Sequence, residues 1–265
     1  MKSLRIPLEQ AEKISTKLEE AGLKFREVEN TLWSYEGNGV FFNLYNSGVL
    51  LIQGKNCATW VEKVLSWVKS PENPIAGCDE VGKGDIFGPL VLCCAVILPE
   101  KFKDVLKVVP RDSKTMKDSE IKAKAEQLRE LVHAKFINLL PDRFNELYKK
   151  YGNINRLMDS GYKRLISEIK DLKPEYIMID KYSATDPFLE DPLVRFVEKG
   201  EKYVPVSVAS ILARSRFLYT LSKLGEIYGL DIPKGASSNV KKFASELIEE
   251  KPDIAKKLIK ISFLK

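Results

Sequence analysis

Residues 75–98 read IAGCDEVGKGDIFGPLVLCCAVIL. Two apolar runs of strand length, Ile75 to Val81 and Leu90 to Leu98, flank Gly82-Lys-Gly-Asp-Ile-Phe-Gly-Pro89, a connection long enough for a hairpin. Working downstream, the spacing predicts a charged amphipathic helix over Asp118 to Phe136, a short strand over Ile137 to Leu140 and a helix over Asn153 to Ile169. Tyr176 to Asp180 (YIMID) reads as a buried strand that ends in a carboxylate. Val204 to Leu224 begins as a short run and becomes a helix, and Asp253 to Ile261 supplies a last, lysine-rich one. Strands alternating with helices predict an α/β domain built on an open mixed sheet.

Upstream, Ser70-Pro-Glu-Asn-Pro74 is a linker signal, so the expected division is 1–70 and 71–265. In the first part, apolar residues at Leu8, Ala11, Ile14, Leu18 and Ala21 mark a helix ended by Gly22. Strand-like runs follow at Lys24 to Glu29, Thr31 to Tyr35, Val40 to Tyr45 and Val49 to Gln53, and Ala58 to Val68 closes the unit as a helix. Trp33, Tyr35, Phe41, Phe42 and Tyr45 crowd this small α+β unit with aromatic rings. They fit either a core under the helices or a face that meets a ligand.

At 265 residues, two domains of about 150 residues each are the soft expectation. With 44% hydrophobic and 30% charged residues the chain can build a core, which excludes global disorder. No apolar stretch has the roughly 18 residues of a membrane span, and MKSLRIPLEQAEK lacks the apolar centre of a signal peptide, so a cytoplasmic location is expected. The four cysteines, Cys57, Cys78, Cys93 and Cys94, read as buried thiols rather than disulfides or a zinc site. A single histidine, His133, falls within the predicted helix, so a two-histidine metal site is excluded and any acid-base chemistry rests on other groups. The net charge of +6 lies wholly in residues 202–265, with 12 basic against 6 acidic residues, a solvated face or a nucleic-acid footprint.

The chemistry-bearing residues cluster in the opening stretch. Asp79 and Glu80 interrupt an apolar strand, which is costly if the strand is buried. Neighbours on a strand point to opposite faces, so at most one side chain normally faces a given site, and a metal ion would draw in the other through its side chain or a carbonyl. A strand end already at the surface is the simpler reading. Gly82-Lys83-Gly84 offers close backbone approach and a point charge for a phosphate, or is an ordinary turn. Asp180 sits where open α/β sheets bind ligands, at the carboxyl end of a strand, or caps a turn. Glu201 alone would be a solvated loop charge. Together, Asp79, Glu80, Asp180 and Glu201 form a four-carboxylate set suited to Mg²⁺ or Mn²⁺, with two ions serving phosphodiester hydrolysis.

DEVGKGDIFGP (79–89), DSK (112–114), NIN (153–155), MID (178–180) and SVASILAR (207–214), in that order, resemble the bacterial type 2 ribonucleases H, and the ribonuclease HIII family most closely. Lysine inside Gly-Lys-Gly and the additional N-terminal unit favour that side of the family over ribonuclease HII. The resemblance implies a ribonuclease H-like mixed sheet flanked by helices, preceded by a TATA-binding-protein-like domain that grips the substrate. It implies endonucleolytic cleavage of the RNA strand of an RNA/DNA hybrid by two divalent ions, leaving 5′-phosphate and 3′-hydroxyl ends. Asp79, Glu80 and Asp180 fall on the family's catalytic, metal-binding acids. Glu201 is the match for the fourth, with Glu198 the alternative because the spacing to SVASILAR departs by one residue. Gly82, Lys83 and Gly84 match the tripeptide that reads the 2′-hydroxyl, and Ser113, Lys114 and Asn153 match substrate-backbone contacts.

Two rival functions remain at this level. One is ribonuclease HII-like incision at single ribonucleotides embedded in duplex DNA. The other is a non-catalytic nucleic-acid-binding module, against which the four acids argue, because a binder has no reason to place carboxylates where a phosphate sits. Nothing in the sequence demands more than a monomer.

Overall fold

A computed structural model describes residues 1–109 and 116–264. The first 70 residues form an antiparallel sheet of β1 (Lys2–Arg5), β2 (Lys24–Arg26), β3 (Thr31–Gly37), β4 (Val40–Tyr45) and β5 (Val49–Gly54), in the order β1-β5-β4-β3-β2. Helices α1 (Ala11–Glu20) and α2 (Cys57–Trp67) cover one face. Ile14, Leu18, Val64 and Leu65 from the helices meet Trp33, Phe42, Leu44, Leu50 and Ile52 from the sheet, all buried. Strand β1 carries no sequence signal: four residues, two of them basic, do not alternate visibly, and their place comes from pairing with β5.

The second sheet follows the order β10-β9-β6-β7-β8. Its centre is the predicted hairpin, β6 (Ile75–Val81) against β7 (Leu90–Ile97). β9 (Ile177–Asp180) and β10 (Val194–Val197) run parallel to β6, and β8 (His133–Leu139) is antiparallel to β7. Every residue of β7 is buried, as expected for a strand covered on both faces. One face carries α3 (Phe102–Val108), α4 (Asp118–Arg129) and the 25-residue α7 (Val204–Tyr228). The other carries α5 (Pro141–Tyr151) and α6 (Ile154–Ile169), while α8 (Ser238–Glu250) and α9 (Pro252–Leu258) complete the C-terminal end. The start of α7 lies on β6 at Gly77, where a Cβ would fall 2.2 Å from the Pro205 carbonyl carbon. No helix among the described residues is long and apolar enough to cross a membrane.

Two expectations are corrected. The helix from Asp118 stops at Arg129 and His133 opens β8, exposed: a helical period set by Ile121, Ala125 and Leu128 gives way to a strand that pairs with β7. The cysteines are not all thiols, because Cys78 and Cys94 are disulfide-bonded. They stand directly opposite one another in the β6–β7 register with Cα atoms 4.2 Å apart, a proximity that exists only once the hairpin has formed. Cys57 and Cys93 are free and buried.

Candidate active site

The parallel pairing of β6 with β9 ends at Cys78 opposite Ile179. The next residue on each strand is an acid, so Asp79 and Asp180 lie side by side at the carboxyl ends of neighbouring parallel strands. Alternation sends Asp79, opposite Cys93, toward the face covered by α7, and Glu80, opposite Leu92, toward α6. From α6, Tyr162 donates its hydroxyl to Glu80 Oε2 at 2.8 Å. Asp79 Oδ1 accepts the Glu80 N–H at 2.8 Å, and Asp180 Oδ1 accepts the Gly200 N–H at 2.8 Å. Gly200 begins the single 3₁₀ turn Gly200–Lys202 that carries Glu201. Glu198 is exposed and engaged by Lys181 at 2.9 Å, which holds its carboxyl below the usual range. Of the two glutamates, Glu201 is the one on the turn that touches Asp180.

Burial, and then the charge of Asp79, pushes Glu80 up to about 8; Tyr162 and Lys83 pull it back and Asp180 raises it further. The strand ends thus crowd together hard oxygen donors that oppose one another's ionisation. A divalent cation would offset that repulsion and draw the Glu80 carboxyl into its charged form. Among the described residues no three His, Cys, Asp or Glu side chains form a ready cation cluster. The fit is therefore one of donor chemistry and charge.

Gly82 has φ +94°, and a Cβ there would fall 2.1 Å from the Pro89 carbonyl oxygen, so glycine lets the two ends of the connection touch. At Gly84 a Cβ would meet open space, leaving its backbone accessible. Lys83 Nζ donates to the Tyr182 carbonyl at 2.7 Å and lies 5.4 Å from the Tyr182 ring centre. That ring stacks on Tyr162 at 5.4 Å, and its hydroxyl donates to Asp159 Oδ1 at 2.6 Å. Burial raises the pKa of both tyrosines, keeping their hydroxyls as donors. Lys83, Tyr182, Tyr162 and Glu80 thus form one connected layer between the tripeptide and the acids.

Behind the tripeptide lies Lys260, fully buried, whose ammonium donates to the carbonyls of Phe87, Gly88 and Pro89. Its own N–H donates to Ile86 O at 2.8 Å, and Phe87 bridges to Ile259. Asn153 caps α6 by accepting the Asn155 N–H at 2.7 Å. Ser113 and Lys114 lie outside the described residues. Sequence reasoning missed Tyr162, Tyr182, Asp159 and Lys260. Only Tyr182 had a local signal, two positions past the acid that ends YIMID.

The sheet of the first 70 residues turns Arg26, Glu36, Phe41 and Asn43 to the face away from its helices, by their shared register. Arg26 lies 5.1 Å from the Phe41 ring centre and donates to Asn43 Oδ1 at 3.4 Å. Trp33, Tyr35 and Phe42 are buried on the other side, so only part of the aromatic set is left for a ligand.

The ribonuclease HII family model matches residues 76–265. Ribonuclease HIII of Aquifex aeolicus is 41% identical over 248 residues, covering 93% of this chain and 95% of that protein. The crystal structure of Aquifex aeolicus RNase H3 superposes with a TM-score of 0.65 at 38% identity, covering 98% of this chain and 99% of the other. That of Bst-RNase HIII in complex with Mn²⁺ gives 0.69 at 23% identity over 98% of this chain and 96% of the other, a likeness of fold. With acids at paired strand ends, a five-stranded sheet ahead of the mixed one and relatives of this extent, the chain belongs to the type 2 ribonuclease H family, on its ribonuclease HIII side, and is a ribonuclease H.

Proposed function

We propose that the chain is an endoribonuclease that hydrolyses the RNA strand of RNA/DNA hybrids with two divalent ions, Mg²⁺ or Mn²⁺, leaving 5′-phosphate and 3′-hydroxyl ends. The observation that carries this reading is the placement of Asp79 beside Asp180 at paired strand ends, with Glu80 next along the strand and the Glu201 turn bonded to Asp180. A Mn²⁺ complex of a protein of the same fold is in keeping with it. Asp79, Glu80, Asp180 and Glu201 would hold the ions. Bound there, the ions supply an activated water and charge stabilisation for the departing oxygen.

The chain's own residues then divide the remaining work. Tyr162 orients Glu80 from the α6 side. The Gly82-Lys83-Gly84 backbone, open at Gly84, reads the 2′-hydroxyl that separates RNA from DNA. Asn153, together with Ser113 and Lys114, contacts the substrate backbone. Residues 1–70 serve as the substrate-binding domain and grip the hybrid, and 71–265 carry the chemistry.

Three end-labelled duplexes test the reading with Mg²⁺, with Mn²⁺ and with chelator: a full RNA/DNA hybrid, DNA with one embedded ribonucleotide, and all-DNA. Metal-dependent cuts at several positions in the hybrid alone are expected. A single cut beside the lone ribonucleotide would move the function to ribonuclease HII-like incision. Tight binding without cleavage would leave a binding module.

A further inference from the structure

We propose that Arg5, in the N-terminal strand β1, is a positioning residue for the acids at the strand ends, acting through the turn that carries Glu201; this rests on the function proposed above. Arg5 is fully buried and sits at the edge of the small sheet, paired with Val49. Its guanidinium leaves that sheet and donates to the main-chain carbonyl of Glu201 and to Ser207 Oγ, the latter at 2.6 Å. Ser207 Oγ donates to the same carbonyl at 2.7 Å, so two donors from different parts of the chain hold one oxygen. One residue earlier in the turn, Gly200 donates its N–H to Asp180 Oδ1. The Gly200–Glu201 backbone, hydrogen-bonded at both ends, therefore links the edge strand β1 to a candidate metal ligand.

Three further observations fit a clamp rather than an incidental contact. A buried guanidinium is costly unless hydrogen-bonded, and two oxygens that accept from it belong to the turn and to α7, both outside its own sheet. Lys199, which leads into the turn, has φ +54°, a conformation unfavourable for a residue with a Cβ and one that surrounding contacts must hold. Gly200 packs so closely that a Cβ would lie 2.9 Å from Asp180 Oδ1, leaving the acid no room to move toward the turn. Fixing the Glu201 carbonyl fixes the Cα from which its carboxylate departs. The N-terminal sheet then has two jobs, gripping substrate on one face and holding the fourth acid from its edge.

The test uses full-length Arg5→Met, Arg5→Lys and Ser207→Ala proteins. Five quantities are read: kcat and KM on the hybrid with Mg²⁺, the Kd for uncut hybrid in chelator, the exchange rate of the Gly200 amide in metal-free protein, and Tm. Arg5→Met is expected to lower kcat at least tenfold, to leave KM and Kd within twofold, and to speed Gly200 exchange. Arg5→Lys recovers part of the loss, and Ser207→Ala moves kcat and exchange the same way by less. Unchanged kcat or unchanged Gly200 protection in Arg5→Met overturns the proposal, as does a loss confined to KM and Kd. If Arg5→Met does not fold, Ser207→Ala decides by the same two readouts. If the unmodified protein cleaves no hybrid, the proposed function fails, while the exchange measurement still judges the clamp.

Discussion

Tyr162 and Glu80 are 82 positions apart in sequence and joined by a single hydrogen bond, hydroxyl to carboxylate, at 2.8 Å. Tyr162 shares a buried cluster with Leu92, Leu165 and Ile179 and stacks on Tyr182, so its ring is held while its hydroxyl reaches the carboxyl from α6. Hydrogen bonds to charged groups contribute roughly 1.5–3 kcal/mol. Tyr162→Phe keeps the ring and removes the donor. We expect kcat to fall roughly tenfold or more by that magnitude, with the hybrid Kd unchanged, measured in single turnover. An unaltered rate would mean that Glu80 is placed by the backbone alone.

Asp79→Asn and Asp180→Asn keep shape and remove charge. Both are expected to abolish cleavage while circular dichroism and Tm show a folded protein. Retained turnover in Asp180→Asn would remove Asp180 from the site.

Gly200→Ala introduces a Cβ 2.9 Å from the Asp180 Cβ and Oδ1. The side chain of Asp180 must shift, since the turn is anchored on its other side. Activity should drop at least tenfold with little change in hybrid affinity, and the same substitution at Gly84, where the added atom meets open space, should leave Tm unaltered.

Burial pulls the Lys260 ammonium down to about 7, while Asp85 works to hold it up. An unfolded lysine titrates near 10.4. Between those values the unfolded chain binds a proton that the folded one has released, so this residue makes stability rise with pH from about 7 to about 10 and leaves it flat below. Over about three pH units the effect is on the order of 4 kcal/mol. Lys260→Met should flatten the curve in chemical denaturation run from pH 6 to 10. A slope that survives the substitution assigns it to another group.

The Cys78–Cys94 bond closes a loop of 16 residues in sequence. Loop-closure entropy for that length corresponds to about 3 kcal/mol. Denaturation with and without reductant should differ by that order, and the reduced protein should keep its sheet register, because β6 and β7 pair along their whole length.

The hairpin, the alternation of strands and helices and the strand positions of Asp79, Glu80 and Asp180 were legible because each is written locally, as an apolar run or a carboxylate that interrupts or ends one. What was not legible depends on register and distance. The disulfide needs Cys78 and Cys94 face to face. Helical periodicity through Ile121 and Leu128 carried past Arg129, because nothing local announces that His133 to Leu139 will pair with β7. Arg5 and Lys260 look like two more basic residues in a lysine-rich chain. Only the fold reveals that both are buried and hold main-chain oxygens beside the site.

Lys260 also separates what the hairpin does alone from what it needs help to do. Its ammonium gathers the carbonyls of Phe87, Gly88 and Pro89, and its N–H secures Ile86, across more than 170 positions of sequence. The β6–β7 pairing is local, whereas this latch on the connecting loop is a long-range contact that forms only after a large loop-closure entropy has been met. Loosening the packing around Lys260 therefore frees the loop beside the acids while the strands that carry them stay paired.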